Sequence, residues 1–215
     1  MKASWFYRCV YTLAQGFFKV VYRHRIYGLE HYYAGPAIIA ANHTSFYDPP
    51  IASTSWPEEV HFLARGSLFR VWGLGAVIRA LNTHPISGDA GDVAVFKLVE
   101  QLLNEGKKIL LFPEGTRSRT GRLGVFRPGV GFLLCRTRTA IIPAYIHGAF
   151  EAWGRGRTFP RLRGKTACVF GSPLLFETYA SLDRKEAQQR VTEDLRARIE
   201  QLRDWYLSGA HGSPP

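Results

Sequence analysis

His43 and Asp48 stand five positions apart in the stretch Asn42-His43-Thr44-Ser45-Phe46-Tyr47-Asp48. A carboxylate on one imidazole nitrogen leaves the other free to accept a proton, so the pair has the composition of a histidine general base steered by an aspartate. The run before it, Pro36-Ala37-Ile38-Ile39-Ala40-Ala41, is apolar and reads as a short buried strand. Pro49 and Pro50 follow the aspartate, and proline belongs in the first turn of a helix. His43 and Asp48 therefore bracket a strand-to-helix loop, a common place for reacting side chains in α/β proteins. A histidine and an aspartate at this spacing are equally consistent with a structural pair.

A second stretch decides between those readings. Phe112-Pro113-Glu114-Gly115-Thr116-Arg117-Ser118 follows the apolar run Ile109-Leu110-Leu111, and Phe126-Arg127-Pro128-Gly129 comes after it. With both in view the sequence resembles the glycerolipid acyltransferase family that includes bacterial lysophosphatidic acid acyltransferases. Asn42-His43-x-Ser45-x-x-Asp48 is similar to the family's first block, and Phe112 to Ser118 to its third. Ile141-Ile142-Pro143-Ala144 is similar to the fourth. The second block departs: where the family carries an arginine after a Phe/Ile-Pro-Val-like step, this chain reads His84-Pro85-Ile86-Ser87-Gly88-Asp89. Arg79 precedes that region and Arg65 follows the run Val60 to Ala64, and either supplies a cation from elsewhere in the sequence.

The resemblance implies direct transfer of a fatty acyl group from acyl-CoA or acyl-ACP to the hydroxyl of a lysophospholipid. The acceptor it favours is 1-acylglycerol 3-phosphate, giving phosphatidic acid; glycerol 3-phosphate and other lysolipids are alternatives. It casts His43 and Asp48 as the catalytic pair, and Glu114, Gly115, Thr116 and Arg117 as acceptor-binding, with Arg127 a further candidate. A guanidinium matches phosphate oxygens in a bidentate way. No cofactor or metal is implied beyond the thioester co-substrate. The expected partners are the glycerolipid, the thioester, a membrane surface and an acyl carrier protein, at the cytoplasmic face of a membrane. Nucleic acid is not among them.

Composition bounds the rest. The 215 residues fit one α/β domain able to bury its own core. A formal charge of +11 points to an anionic partner. Between Gly115 and Phe176 eleven Lys and Arg face a single acid, Glu151, so most of the net charge lies there. A noncatalytic basic module binding RNA or anionic lipid is the rival reading, and it leaves His43, Asp48 and Glu114 as coincidences. Cys9, Cys135 and Cys168 lack metal-ligand spacing, so a disulfide framework or zinc site is not expected. Gly164-Lys165-Thr166 resembles the end of a phosphate-binding loop, but Phe159 stands where that motif needs glycine.

The elements that must position these residues follow from pattern. Ser4 to Tyr22 is dense in large apolar groups, with Ser4, Arg8, Thr12, Gln15, Lys19 and Arg23 recurring as one polar stripe. This reads as a helix lying in a membrane interface, residues 1–26 forming a membrane-associating unit without a signal-peptide cleavage site. Residues 27–207 form the acyltransferase domain. Its strands are expected at Ala37 to Ala41, Glu59 to Ala64, Lys108 to Phe112, Ala140 to His147 and Thr166 to Phe170. Ser67 to Leu81 reads as a helix broken at Gly73 and Gly75, with apolar surface to house an acyl chain. Asp92 caps a helix to Asn104 that Gly106 stops. Two more helices are expected, Gly129 to Arg138 and an amphipathic one from Leu182 to Leu207, with Trp153 to Gly164 a loop. Strands alternating with helices give an α/β domain whose mostly parallel or mixed sheet is flanked by helices. The tail, 208–215, is expected to be disordered.

Overall fold

The computed structural model describes residues 5–86 and 93–215. Seven strands form one sheet: β1 (Arg25–Tyr27), β2 (Ala37–Ala41), β3 (Val60–Arg65), β4 (Thr83–Ile86), β5 (Lys108–Leu111), β6 (Ala140–His147) and β7 (Ala167–Phe170). Their order is β1-β7-β6-β2-β5-β3-β4, and every neighbouring pair is parallel except β6 and β7. Among the described residues the α-helices are α1 (Trp5–Val21), α2 (Asp48–Ser55), α3 (Leu74–Ala80), α4 (Val93–Asn104), α5 (Gly129–Thr137), α6 (Ala149–Trp153) and α7 (Arg184–Leu207). This is the expected mixed α/β domain. Asp92, read as a helix cap, and Ser87 to Asp89 of the departing second block lie outside the described residues.

β2 sits at the centre because both its faces are apolar and it has no exposed residue. Ala37, Ile39 and Ala41 face a core with Phe18, Tyr22, Ile51 and Trp56. Ile38 and Ala40 face a second core with Val99, Leu103, Leu134, Val191 and Leu195 from α4, α5 and α7. The two-residue period of a strand divides the side chains between the two layers of helices. Register then fixes the site. Ala40 pairs with Leu111 and Ala41 with Ala144, so the loops leaving β2 and β5 emerge side by side at one edge of the sheet.

α1 packs on α2: Tyr11 Oη lies 3.1 Å from the Thr54 carbonyl and 3.0 Å from that of Trp56, and Phe18 is buried. The opposite side leaves Trp5, Leu13 and Val20 exposed. α1 is thus both docked on the core and apolar on its outer face. Among the described residues no helix is long and apolar enough to cross a membrane. The break expected near Gly73 is present. A 3-10 turn, Gly66–Arg70, gives way to α3 at Gly73, whose φ of 75° only glycine adopts without strain.

The tail does not behave as its composition suggested. Pro214 is buried, its carbonyl accepts from His31 Nε2 at 3.0 Å, and Ser172 N donates to the Pro215 carbonyl at 3.3 Å. Gly209 and Gly212, both at positive φ, reverse the chain and return it to the sheet.

Candidate active site

The imidazole of His43 is placed by its own loop. Just before it, the Asn42 amide donates to the Ile146 carbonyl at 3.0 Å and accepts from Ile146 N at 2.7 Å. That side chain extends the β2–β6 ladder past Ala41 and fixes the direction in which the next residue leaves the sheet. Asp48, the first residue of α2 and fully buried, receives His43 Nδ1 on Oδ2 at 2.8 Å. The same oxygen accepts from Thr44 N and Ser45 N at 2.5 and 2.7 Å. Three donors on one oxygen hold the Asp48 side chain in a single orientation against the loop. Ser45 Oγ ties the loop to Trp153 O at 2.7 Å. Phe112 stacks on the imidazole, ring centroids 3.9 Å apart. The ring is therefore held on one nitrogen and on one face, with 18% of the side chain open to solvent.

The Glu114 loop grips the backbone of His43 from β5. Glu114 Oε1 accepts from His43 N at 2.8 Å, and Ser118 N donates to His43 O at 2.7 Å. Glu114 Oε2 accepts from Gly124 N at 2.9 Å. Burial pushes the Glu114 carboxyl above its ordinary range, and the two backbone N–H groups oppose that. Side-chain bulk is excluded around this carboxylate: a Cβ at Gly124 would lie 2.6 Å from Oε2.

Cations collect beside the dyad. The Arg117 guanidinium lies 3.6 Å from the centre of the Phe46 ring, and its Nη1 is buried without a hydrogen-bond partner. Burial and the neighbouring charges of Arg155 and Arg65 lower its pKa, while Asp48 opposes them. Arg155 donates to the Arg117 carbonyl at 3.3 Å. Arg65 ends β3 in register with Ile86, next to the segment where the second-block arginine is missing. Arg79 instead lies over the Phe69 ring, 5.4 Å from its centre.

A family profile described as Acyltransferase matches residues 23–147. The chain belongs to this family. It is 26% identical over 178 residues to the Arabidopsis thaliana protein named 1-acyl-sn-glycerol-3-phosphate acyltransferase LPAT1, chloroplastic, covering 81% of this chain and 49% of that one. To the Bacillus subtilis (strain 168) protein named 1-acyl-sn-glycerol-3-phosphate acyltransferase it is 25% identical over 166 residues, 77% of this chain and 80% of that one. The chain spans about half the length of the two chloroplast relatives it matches, from Arabidopsis thaliana and Brassica napus. Its fold is like that of the crystal structure titled 1-acyl-sn-glycerophosphate (LPA) acyltransferase, PlsC, from Thermotoga maritima, with a TM-score of 0.69 at 23% identity, over 89% of this chain and 80% of that one.

Within this acyltransferase fold the residues singled out from sequence come together around one loop pair, with a division of labour the sequence did not show. His43 and Asp48 meet as a hydrogen-bonded pair. Glu114, expected to bind the acceptor, has both oxygens engaged by backbone N–H groups, those of His43 and Gly124. Gly115 at φ 69° carries the Arg127 side chain across its Cα, where a Cβ would lie 2.7 Å from Nε. Thr116 is exposed, its Oγ1 3.5 Å from an Arg155 nitrogen. In the sequence Arg155 is one cation of a charged loop, and no local pattern distinguishes it from its neighbours Arg157 and Arg161.

Proposed function

We propose that the chain transfers a fatty acyl group from an acyl thioester to the hydroxyl of 1-acylglycerol 3-phosphate, giving phosphatidic acid and a free thiol. The observation that carries this reading is the His43–Asp48 pair beside an unpartnered, buried Arg117 nitrogen: a base and a phosphate-binding cation in one site. The names of the Arabidopsis and Bacillus relatives support the same acceptor.

With Nδ1 donating to Asp48, the neutral imidazole presents Nε2 as the proton acceptor. The acceptor hydroxyl gives its proton to Nε2 as its oxygen bonds to the thioester carbonyl carbon. Asp48 stabilises the imidazolium that forms. Collapse of the tetrahedral adduct breaks the C–S bond, and the proton passes from imidazolium to the leaving thiolate. Arg117, with Arg65 and Arg155 near it, neutralises the acceptor phosphate. No acyl-enzyme is formed.

Membrane attachment at the cytoplasmic face belongs to the same proposal. Trp5, Leu13 and Val20 form an apolar outer face on α1, with Arg8 and Lys19 also exposed on that helix. From α1, Phe17 packs on Tyr47 (centroids 6.3 Å), Tyr47 on Trp153 (5.2 Å) and Trp153 on Phe46 (5.1 Å). This aromatic series runs from the lipid-facing helix to the Arg117 guanidinium, a route suited to the lysolipid's acyl chain. The test is product analysis with purified protein, palmitoyl-CoA or palmitoyl-ACP, and a panel of lysophosphatidate, glycerol 3-phosphate and lysophosphatidylcholine. Phosphatidic acid should form from the first; its absence with both donors contradicts the reading.

A further inference from the structure

A second basic concavity, of about 440 Å³, lies at the edge of the sheet from which His43 emerges, and shares no residue with the dyad or the Glu114 loop. Arg23, Arg25, Tyr27, His147, Lys165 and Tyr206 line it. Register brings them together: Arg25 on β1 and His147 on β6 both pair with Ala167 of β7. Residues directly opposite in neighbouring strands share a face of the sheet, and α7 closes that face with Tyr206, whose ring lies 4.6 Å from that of His147. Arg23 sits at φ 47°, a conformation that costs energy for a residue with a side chain.

Three cations converge here and no carboxylate lines the concavity. Among the described residues none of the three is in an ion pair. Three like charges with no carboxylate among them fit a ligand with several anionic groups. The two tyrosine rings beside the cations suit a ligand that also carries a planar, apolar part.

The location narrows the choice. The Asn42 side chain pairs with the Ile146 backbone, so His43 and His147 leave adjacent strands at the same edge. Neighbouring strands are about 4.8 Å apart, which sets β7 and β1 about 10 and 15 Å sideways from β2. A ligand anchored here therefore reaches His43 only if it carries a long extended arm. Coenzyme A has that form, with phosphates on an adenosine at one end and the thioester at the other.

We propose that this concavity binds the 3′-phosphoadenosine diphosphate end of an acyl-CoA donor. Arg23, Arg25 and Lys165 take its phosphates, and the pantetheine arm runs along the sheet edge to His43. The inference rests on the thioester reading above for its placement, but its binding arm needs no turnover.

The test compares wild type with the combined variant Arg23→Gln, Arg25→Gln, Lys165→Gln. Calorimetric titration with free CoA should show binding weakened about tenfold or more in the variant, as expected for lost charge-assisted phosphate contacts. Wild type should bind CoA more tightly than 3′-dephospho-CoA. In turnover, the ratio of kcat/KM for palmitoyl-CoA to that for palmitoyl-pantetheine, which lacks the nucleotide, should fall by a similar factor. An unchanged ratio, or equal CoA binding by variant and wild type, overturns the proposal. So does a loss confined to palmitoyl-ACP, which would make the face a protein-docking surface. A variant with a much lowered melting temperature is replaced by single Gln substitutions, read by the same ratio. Absence of all turnover with intact CoA binding would contradict the acyl-transfer reading and leave this one standing.

Discussion

The Glu114 carboxylate accepts a 2.8 Å hydrogen bond from the backbone N–H of His43, joining two sequence blocks seventy-one positions apart through the chain atoms of the base itself. Its other oxygen reaches Gly124 N, so one side chain ties the β2 loop to both ends of the loop after β5. Glu114→Gln would turn one acceptor into a donor that faces a backbone N–H. Leaving such a buried donor unsatisfied costs about 1–3 kcal/mol. The expected result is a kcat lower by about tenfold or more with the acceptor KM little changed, and a lower melting temperature. A rise in acceptor KM alone would make Glu114 a ligand.

Arg117→Ala should lower kcat/KM for lysophosphatidate by about 10-fold to 100-fold, the order of a lost charged hydrogen bond. The thioester KM should barely move. Steady-state assays with lysophosphatidate and with an acceptor lacking the phosphate monoester separate the roles: an equal loss on both makes Arg117 a loop support. Arg65→Gln should produce a smaller loss of the same kind. The double variant should lose less than the two single effects combined if both cations serve one phosphate.

Attachment is tested without deleting α1, because Phe18 of that helix belongs to the core and its removal would open a cavity there. Leu13→Gln with Val20→Gln alters only exposed positions, 72% and 79% accessible. Flotation with anionic vesicles should show the variant released while its melting temperature holds. Retained, salt-resistant binding would place the anchor on another exposed apolar element such as the segment around Trp72, itself 98% exposed.

Much of this site was legible because its framework is local. The apolar runs at Ala37 to Ala41 and Ala140 to His147 need both faces buried, so they are strands wherever they sit, and the loops after them carry the chemistry. What depends on distant register was not legible. The role of Glu114 needed β2 beside β5, and the approach of Arg155 and Arg65 to Arg117 needed α6 and β3 to end near the same loop. The tail misled because its composition suits disorder, while its partners, His31 and Ser172, are remote in sequence.

Acid sensitivity follows from two histidines, His61 buried and His24 half-buried. His24, bonded to Thr166 Oγ1 and Ser55 Oγ, is held down to about 4 by burial, and His61, facing His84 at 3.0 Å, is also held to about 4 by burial and that neighbour. A base with a lowered pKa stays neutral in the fold and takes up a proton on unfolding. Stability is thus fully present above the unfolded value near 6.5 and is lost as pH falls toward 4, by about 1.4 kcal/mol per pH unit for each proton taken up. Thermal melts between pH 7 and 4.5 should show this fall, and His61→Gln should flatten it. An unchanged slope in that variant would mean His61 does not titrate in this way.

The central claim is that His43, oriented by Asp48, removes the acceptor's proton, and single-turnover acyl transfer to lysophosphatidate by His43→Ala measures it most directly. Loss of a general base lowers the rate about 10²-fold to 10⁴-fold. A folded His43→Ala protein should show that loss with donor and acceptor binding retained, and Asp48→Asn a smaller one. Near wild-type transfer by folded His43→Ala would contradict the account.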